Sequence, residues 1–138
     1  MIAFISCVKT KKPFPCKAID LYDSALFKKS VAYAKSKNVQ HIYIISAKYG
    51  LVSSDKIISP YEETLNGKND KHIKRWTYKV IKQADSLGIS RDEEILFLGG
   101  ENYLKYLRLI YKNSHEPLKG LSIGRRLKFL NENIMNRK

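Results

Sequence analysis

Three short apolar runs each break into residues able to do chemistry. Ile2-Ala3-Phe4-Ile5 leads into Ser6-Cys7-Val8-Lys9, and Ile42-Tyr43-Ile44-Ile45 into Ser46-Ala47-Lys48-Tyr49-Gly50. Ile95-Leu96-Phe97-Leu98 leads into Gly99-Gly100-Glu101-Asn102-Tyr103. If the runs are parallel strands, their carboxyl ends share one edge, where ligands of open α/β sheets bind. The residue types gathered there suit an anion with a flat apolar part, a nucleotide or a nucleic-acid segment. Lys9 and Lys48 supply point charges for phosphate. Gly99-Gly100 lets backbone N–H groups approach a ligand, and the helix start behind it adds partial positive charge. The same pair reads equally well as a tight strand-to-helix turn. Tyr22, Tyr49 and Tyr103 offer faces on which a base can stack, and Gly50 permits a sharp turn. Cys7, Ser24 and Tyr61 join the candidate binding set; Gly124-Arg125-Arg126, opening the last helix, suits phosphate contact, with Arg125 the candidate, and reads also as an ordinary solvated face. Ser6, Ser46 and Gly99 are expected to rim one hollow, and Lys48→Ala is expected to weaken ligand binding without unfolding the chain.

Carboxylates able to do acid–base work are few. Glu62 and Glu63 stand together in Ser59-Pro60-Tyr61-Glu62-Glu63-Thr64-Leu65. An acid there can activate water or stabilise a cationic sugar. In an extended segment neighbours point to opposite sides, so only one of the pair is expected to face the site. Asp23 is the third candidate, with helix capping as its plainer role. Cys7 and Cys16 read as reduced thiols, because no Cys or His cluster completes a metal site around them. Cys7 sits near Lys9, which favours a thiolate, but no histidine is placed to serve it as a base. The three histidines, His41, His72 and His115, lie at no metal-ligand spacing. Neither a metal, nor a cofactor, nor a hydrolase triad is expected.

The chain has 138 residues, enough for one domain, 1–138, with a real core. Lysine and arginine number 26 against 13 acids, a formal net charge of +13. Such a surplus attracts polyanions, and nucleic acid is the partner it most directly implies. No apolar run approaches the length of a membrane span, and the first run is too short for a signal peptide. A cytoplasmic protein is the expectation.

Elements that position these residues follow from the periodicity. Strands are predicted over 2–6, 41–46 and 94–98. Helices are predicted from about Asp20–Ser24 to Ser36, from Asp70 (as N-cap) to Ser86, from Glu101 to Tyr111 and from Ile123 to Met135. Gly50 to Asn69 reads as a long loop with an extended piece at Lys56-Ile57-Ile58. Alternating strands and helices imply parallel pairing and right-handed crossovers. The predicted fold is an α/β three-layer sandwich with a small, mostly parallel sheet of three or four strands flanked by helices.

The motifs Ser6-Cys7-x-Lys9, Leu21-Tyr22-x-Ser24, Ile45-Ser46-Ala47-Lys48-Tyr49-Gly50-Leu51, Pro60-Tyr61-x-x-Thr64-Leu65, Gly99-x-x-x-Tyr103 and Pro117-Leu118-x-Gly120-Leu121-x-Ile123-Gly124 together resemble a small domain-of-unknown-function family. That family looks like a minimal relative of the YaaA peroxide-stress proteins. The resemblance implies an α/β domain with a basic cleft and an association with DNA. YaaA-type proteins are larger, with an added helical DNA-binding element, and carry an acid where this chain has Thr64. A looser analogy, of architecture alone, is to uracil-DNA-glycosylase-like domains.

The function expected is action on a nucleotide or nucleic acid, in its sharpest form a glycosylase for an unusual or modified base. The alternative is a non-catalytic DNA or nucleotide binder in stress response or phage–host conflict. A small-molecule sensor working through protein contacts is a third class.

Overall fold

The computed structural model describes residues 1–135. Its central strand, β1 (Ile2–Ser6), is buried at every position. That explains its unbroken apolar composition, since a strand covered on both faces has no side to leave polar. Strand β2 (Cys16–Lys17) and helix α1 (Ala18–Leu21) follow a loop that holds Pro13 and Pro15. Helix α2 (Ala25–Ser36) comes next, capped by Ser24, whose Oγ accepts from the Phe27 N–H at 3.1 Å. Strand β3 (Ile42–Ser46) turns into β4 (Gly50–Ser53), and β5 is Ile57–Ile58. Helix α3 spans Asp70–Ser86, β6 Ile95–Leu98, α4 Glu101–Leu104, α5 Leu107–Ile110, β7 Ser114–His115 and α6 Ile123–Met135.

The sheet runs in the order β4-β3-β1-β6-β7, and a separate two-stranded sheet pairs β2 with β5. β3, β1, β6 and β7 are parallel, whereas β4 returns antiparallel beside β3. The mostly parallel three-layer arrangement expected from the alternation is therefore present, widened to five strands by the short β4 and β7. The chain steps from β1 to β3 through α2, then back across β1 to β6 through α3. Two crossovers of one handedness in opposite directions put those helices on opposite faces.

Several local expectations change. The segment from Gly50 is not simply loop: Leu51 and Val52 are buried as β4. Gly50 sits at φ +75°, and a Cβ on it would stand 2.2 Å from Gln83 Oε1. That oxygen accepts from the Leu51 N–H at 2.7 Å, while Gln83 Nε2 donates to the Tyr49 carbonyl at 3.0 Å. Asn69, not Asp70, caps α3, accepting from the His72 N–H at 2.8 Å. Asp70 is left to accept from the Tyr106 hydroxyl and to pair with Lys74 and Lys105. The helix expected over 101–111 is two single turns. Arg108 braces them, reaching Glu101 at 2.7 Å and Glu116 at 2.7 Å.

Candidate functional site

The carboxyl ends of β1 and β6 meet so closely that only glycine fits between them. A Cβ on Gly99 would lie 2.3 Å from Ser6 Oγ and 3.2 Å from the Ser6 backbone nitrogen. The Gly100 N–H, expected to face a ligand, donates to Ser6 Oγ at 3.2 Å instead. One residue further, the Cys7 N–H extends the ladder to the Ile45 carbonyl at 3.1 Å. The Cys7 sulfur accepts from the Ala47 N–H at 3.4 Å, and its thiol reaches the Tyr103 hydroxyl at 3.4 Å. Tyr103 also accepts from the Leu65 N–H at 3.2 Å, so it ties the 59–69 loop to the sheet edge. Its ring stands edge-on to Trp76 at 5.4 Å, and Trp76 Nε1 donates to the Ser46 carbonyl at 2.8 Å. Burial raises the Tyr103 pKa and keeps the phenol protonated.

Above this floor lie two adjoining hollows. One, about 290 Å³, is lined by Cys7, Lys9, Lys11, Glu62, Glu63 and Tyr103, among others. The other, about 240 Å³, is lined by Ser6, Lys9, Gly99, Gly100 and Arg126, with an apolar flank from Phe27 and Leu118. Cys7, Val8, Lys9, Asn66 and Tyr103 belong to both, so the hollows form one depression along the edge. Both glutamates line it, against the expectation of one. The alternation argument needs a strand, and residues 59–64 adopt none.

Lys11, which is not among the residues expected at the site, is central. Residues 10–12 pair with 21–23 through the Lys11–Tyr22 bridge, the Lys12 N–H to the Leu21 carbonyl and the Asp23 N–H to the Thr10 carbonyl, each bond 2.9 Å. This holds the Lys11 ammonium 4.3 Å from the Tyr61 ring centroid and 5.8 Å from that of Tyr22. Its Nζ donates to the Lys9 carbonyl at 3.1 Å. Burial lowers the Lys11 pKa, and the proximity of the Cys7 sulfur and of the Glu62 and Glu63 carboxylates acts in the opposite sense. The ammonium is thus partly stripped of water and in ion-pair contact with no carboxylate among the described residues, which strengthens its attraction for an anion.

Tyr22, Tyr61 and Ser46 lie beneath this cation as a buried hydroxyl chain rather than as ligand contacts. Ser46 Oγ accepts from the Lys48 and Tyr49 N–H groups at 3.2 and 3.0 Å and donates to the Tyr61 hydroxyl at 2.8 Å. Tyr61 and Tyr22 share a bond of 2.6 Å. Tyr22 is 1% exposed and Tyr61 7%, so neither has a free face for a base. Burial raises both phenol pKa values. Ser6 and Gly99 do rim the hollow as expected, but Ser46 lies under it with no exposed surface.

Other expected residues stand elsewhere. Lys48 and Tyr49 form the β3–β4 turn with Gly50, and none of the three lines the depression. The Tyr49 ring packs edge-on against Tyr61 at 5.4 Å, and its hydroxyl donates to the Ser59 carbonyl at 3.2 Å. Asp23 is on the surface, paired with Lys28 at 2.8 Å, and this pairing lowers its pKa. Ser24 is occupied as a helix cap. Arg125 is exposed, and Arg126 beside it takes the place on the wall expected for Arg125, its Nε donating to the Leu121 carbonyl at 2.9 Å. The apolar stripe sets the phase of α6, but which flank of that stripe borders the depression depends on where α6 packs, and that the sequence does not show.

Both cysteines are free. Among the described residues no group of three or more His, Cys, Asp or Glu is placed to hold a metal ion, and no helix is long and apolar enough to cross a membrane. Residues 2–132 match the model of a family described as a family of unknown function, DUF6884. The chain belongs to this family. No curated protein and no solved structure matches the chain. The match spans every motif that carried the resemblance to a small domain of unknown function. In this DUF6884 chain those motifs serve two layers: Cys7, Lys9, Gly99 and Tyr103 line the depression, while Tyr22, Ser46, Tyr61 and Gly50 build the support under it.

Proposed function

We propose that this protein acts on a nucleotide or nucleic acid, as a hydrolase that cleaves the N-glycosidic bond of an unusual or modified DNA base. One observation carries the reading: two carboxylates, Glu62 and Glu63, share a depression with the cations Lys9 and Lys11. The cations suit a phosphate. The adjoining hollows, about 290 and 240 Å³, approach the size of small-ligand sites and have room for a base and its sugar. A carboxylate at the sugar stabilises the oxocarbenium-like transition state or draws a proton from the attacking water. The resemblance of the motifs to YaaA-type proteins, and the looser analogy of architecture to uracil-DNA-glycosylase-like domains, point to an association with DNA.

A second reading, a non-catalytic DNA or nucleotide binder, draws on a specific observation. Both glutamates are exposed, and water around a carboxylate weakens its hold on a developing charge. One experiment separates the two. DNA containing normal, oxidised and hypermodified bases is incubated with the protein, and released base is measured by mass spectrometry. Glu62→Gln or Glu63→Gln, whichever removes the acting carboxylate, lowers release by roughly 10²- to 10⁴-fold. No release from any of these DNAs removes the hydrolase reading and leaves the binder.

A further inference from the structure

Helix α3 turns one face to the core and the opposite face to solvent. Ile73, Trp76, Thr77, Val80 and Ala84 are buried. Lys71, Arg75, Tyr78 and Lys82, all exposed, are spaced four, three and four residues apart. At ~100° per residue they fall within about 60° of arc, a straight strip along the helix. The strip is about 16 Å long at ~1.5 Å per residue, and Lys79 lies at its side. No carboxylate interrupts it, because the acids of α3, Asp70 and Asp85, stand at its two ends. Among the described residues, none of Lys71, Arg75, Lys79 and Lys82 is paired with an acid. The ordinary solvent face of a helix mixes both signs of charge, and this one carries a single sign.

Tyr78 sits inside the strip, 55% exposed, with the Lys82 ammonium 5.4 Å from its ring centroid. A large aromatic left in water among unpaired cations fits a partner that has both phosphates and apolar sugar edges. The strip also starts, along the chain, five residues after the wall of the depression. Asn66, on the wall of both hollows, accepts from Asn102 Nδ2 at 3.1 Å, and Asn69, three residues on, caps α3.

We propose that the outer face of α3 is a docking surface for the phosphate backbone of duplex DNA, with Lys71, Arg75 and Lys82 on its phosphates and Tyr78 against the backbone between Arg75 and Lys82. This rests on the nucleic-acid reading of the site and narrows it: the base acted on belongs to a polynucleotide, not to a free nucleotide. Such contacts set position along the strand without reading sequence, and each releases counterions, so affinity falls with salt in proportion to their number.

The test is fluorescence anisotropy with a short fluorescein-labelled duplex over a series of salt concentrations. The probe is offered to the native chain, to Lys71→Ala/Arg75→Ala/Lys82→Ala, and to a control lacking three exposed lysines elsewhere, Lys35→Ala/Lys112→Ala/Lys128→Ala. The α3 variant is expected to bind at least about tenfold more weakly and to lose roughly 2–3 from the magnitude of the log–log salt slope. The control shifts far less. All six positions are exposed, and circular dichroism checks that each variant keeps its fold. Equal losses in both variants, or an unchanged α3 variant, overturn the assignment. Base release is read separately at saturating DNA: its absence defeats the hydrolase reading while a lost salt slope still upholds the docking face.

Discussion

Removing the Tyr61 hydroxyl tests whether the buried chain under Lys11 holds the site up. Tyr61→Phe deletes two bonds, the 2.8 Å bond from Ser46 and the 2.6 Å bond shared with Tyr22. It leaves the Tyr22 hydroxyl, 1% exposed, without that partner, and the Ser46 proton without an acceptor in a residue of 0% exposure. A buried polar group left unmatched costs about 1–3 kcal/mol. Because Ser46 Oγ keeps both backbone N–H donors, the total should fall near 2–4 kcal/mol. At about 3–5 °C per kcal/mol for a chain of this size, Tm drops by roughly 6–20 °C. Tyr22→Phe removes one bond and should cost about 1 kcal/mol. The double variant should lose little more than Tyr61→Phe alone, since it also deletes the stranded hydroxyl; the expected coupling is about 0.5–2 kcal/mol. Urea denaturation followed by circular dichroism measures all four corners of the cycle. Strict additivity, with Tyr61→Phe costing under about 0.5 kcal/mol, would refute the claim that these hydroxyls depend on one another. Phenylalanine keeps the ring beneath the Lys11 ammonium, so binding of a small anion should survive the loss of stability.

Other outcomes follow from the same geometry. Gly99→Ala drives a Cβ to 2.3 Å from Ser6 Oγ and should cost about 1–3 kcal/mol; Ser6→Gly should restore part of it, measured as Tm. Lys11→Ala should weaken thymidine monophosphate binding in calorimetry by several-fold, whereas Lys48→Ala, outside the depression, should leave it unchanged. Tyr22, Tyr61 and Tyr103 have pKa values raised by burial, so the folded chain keeps protons that the unfolded chain gives up near pH 10. Stability is therefore full below about pH 10 and falls above it by up to ~1.4 kcal/mol per pH unit for each phenol; Tyr61→Phe should make that alkaline slope shallower.

Long periodic segments could be read directly from the sequence. Asp70–Ser86 and Ile123–Met135 have the predicted bounds, because an apolar stripe repeated over several turns admits one phase. The three central strands were legible for a related reason: a short apolar run covered on both faces leaves no polar alternation to mislead. β4 was not, since Leu51-Val52 is too brief a run to stand out beside Gly50 and depends on β3 for its partner. The site was half legible. Positions set by a strand end, such as Cys7 and Gly99, follow from the strand itself, whereas Lys11 owes its place to pairing with residues 21–23 and Arg126 to the packing of α6. Tyr22 and Tyr61 lie near the edge that the sequence points to but in the layer beneath it, because a tyrosine's sequence position does not say whether its face or only its hydroxyl is used.

Gln83 has a consequence beyond the turn it secures. Its carboxamide offers β4 one acceptor and one donor, meeting Leu51 and Tyr49 as the peptide group of a sixth strand would. The opposite border, β7, is only two residues long. One margin is thus plugged by an imitation of backbone and the other is too short to template anything, so this sheet resists growing into its neighbours even in a crowded solution.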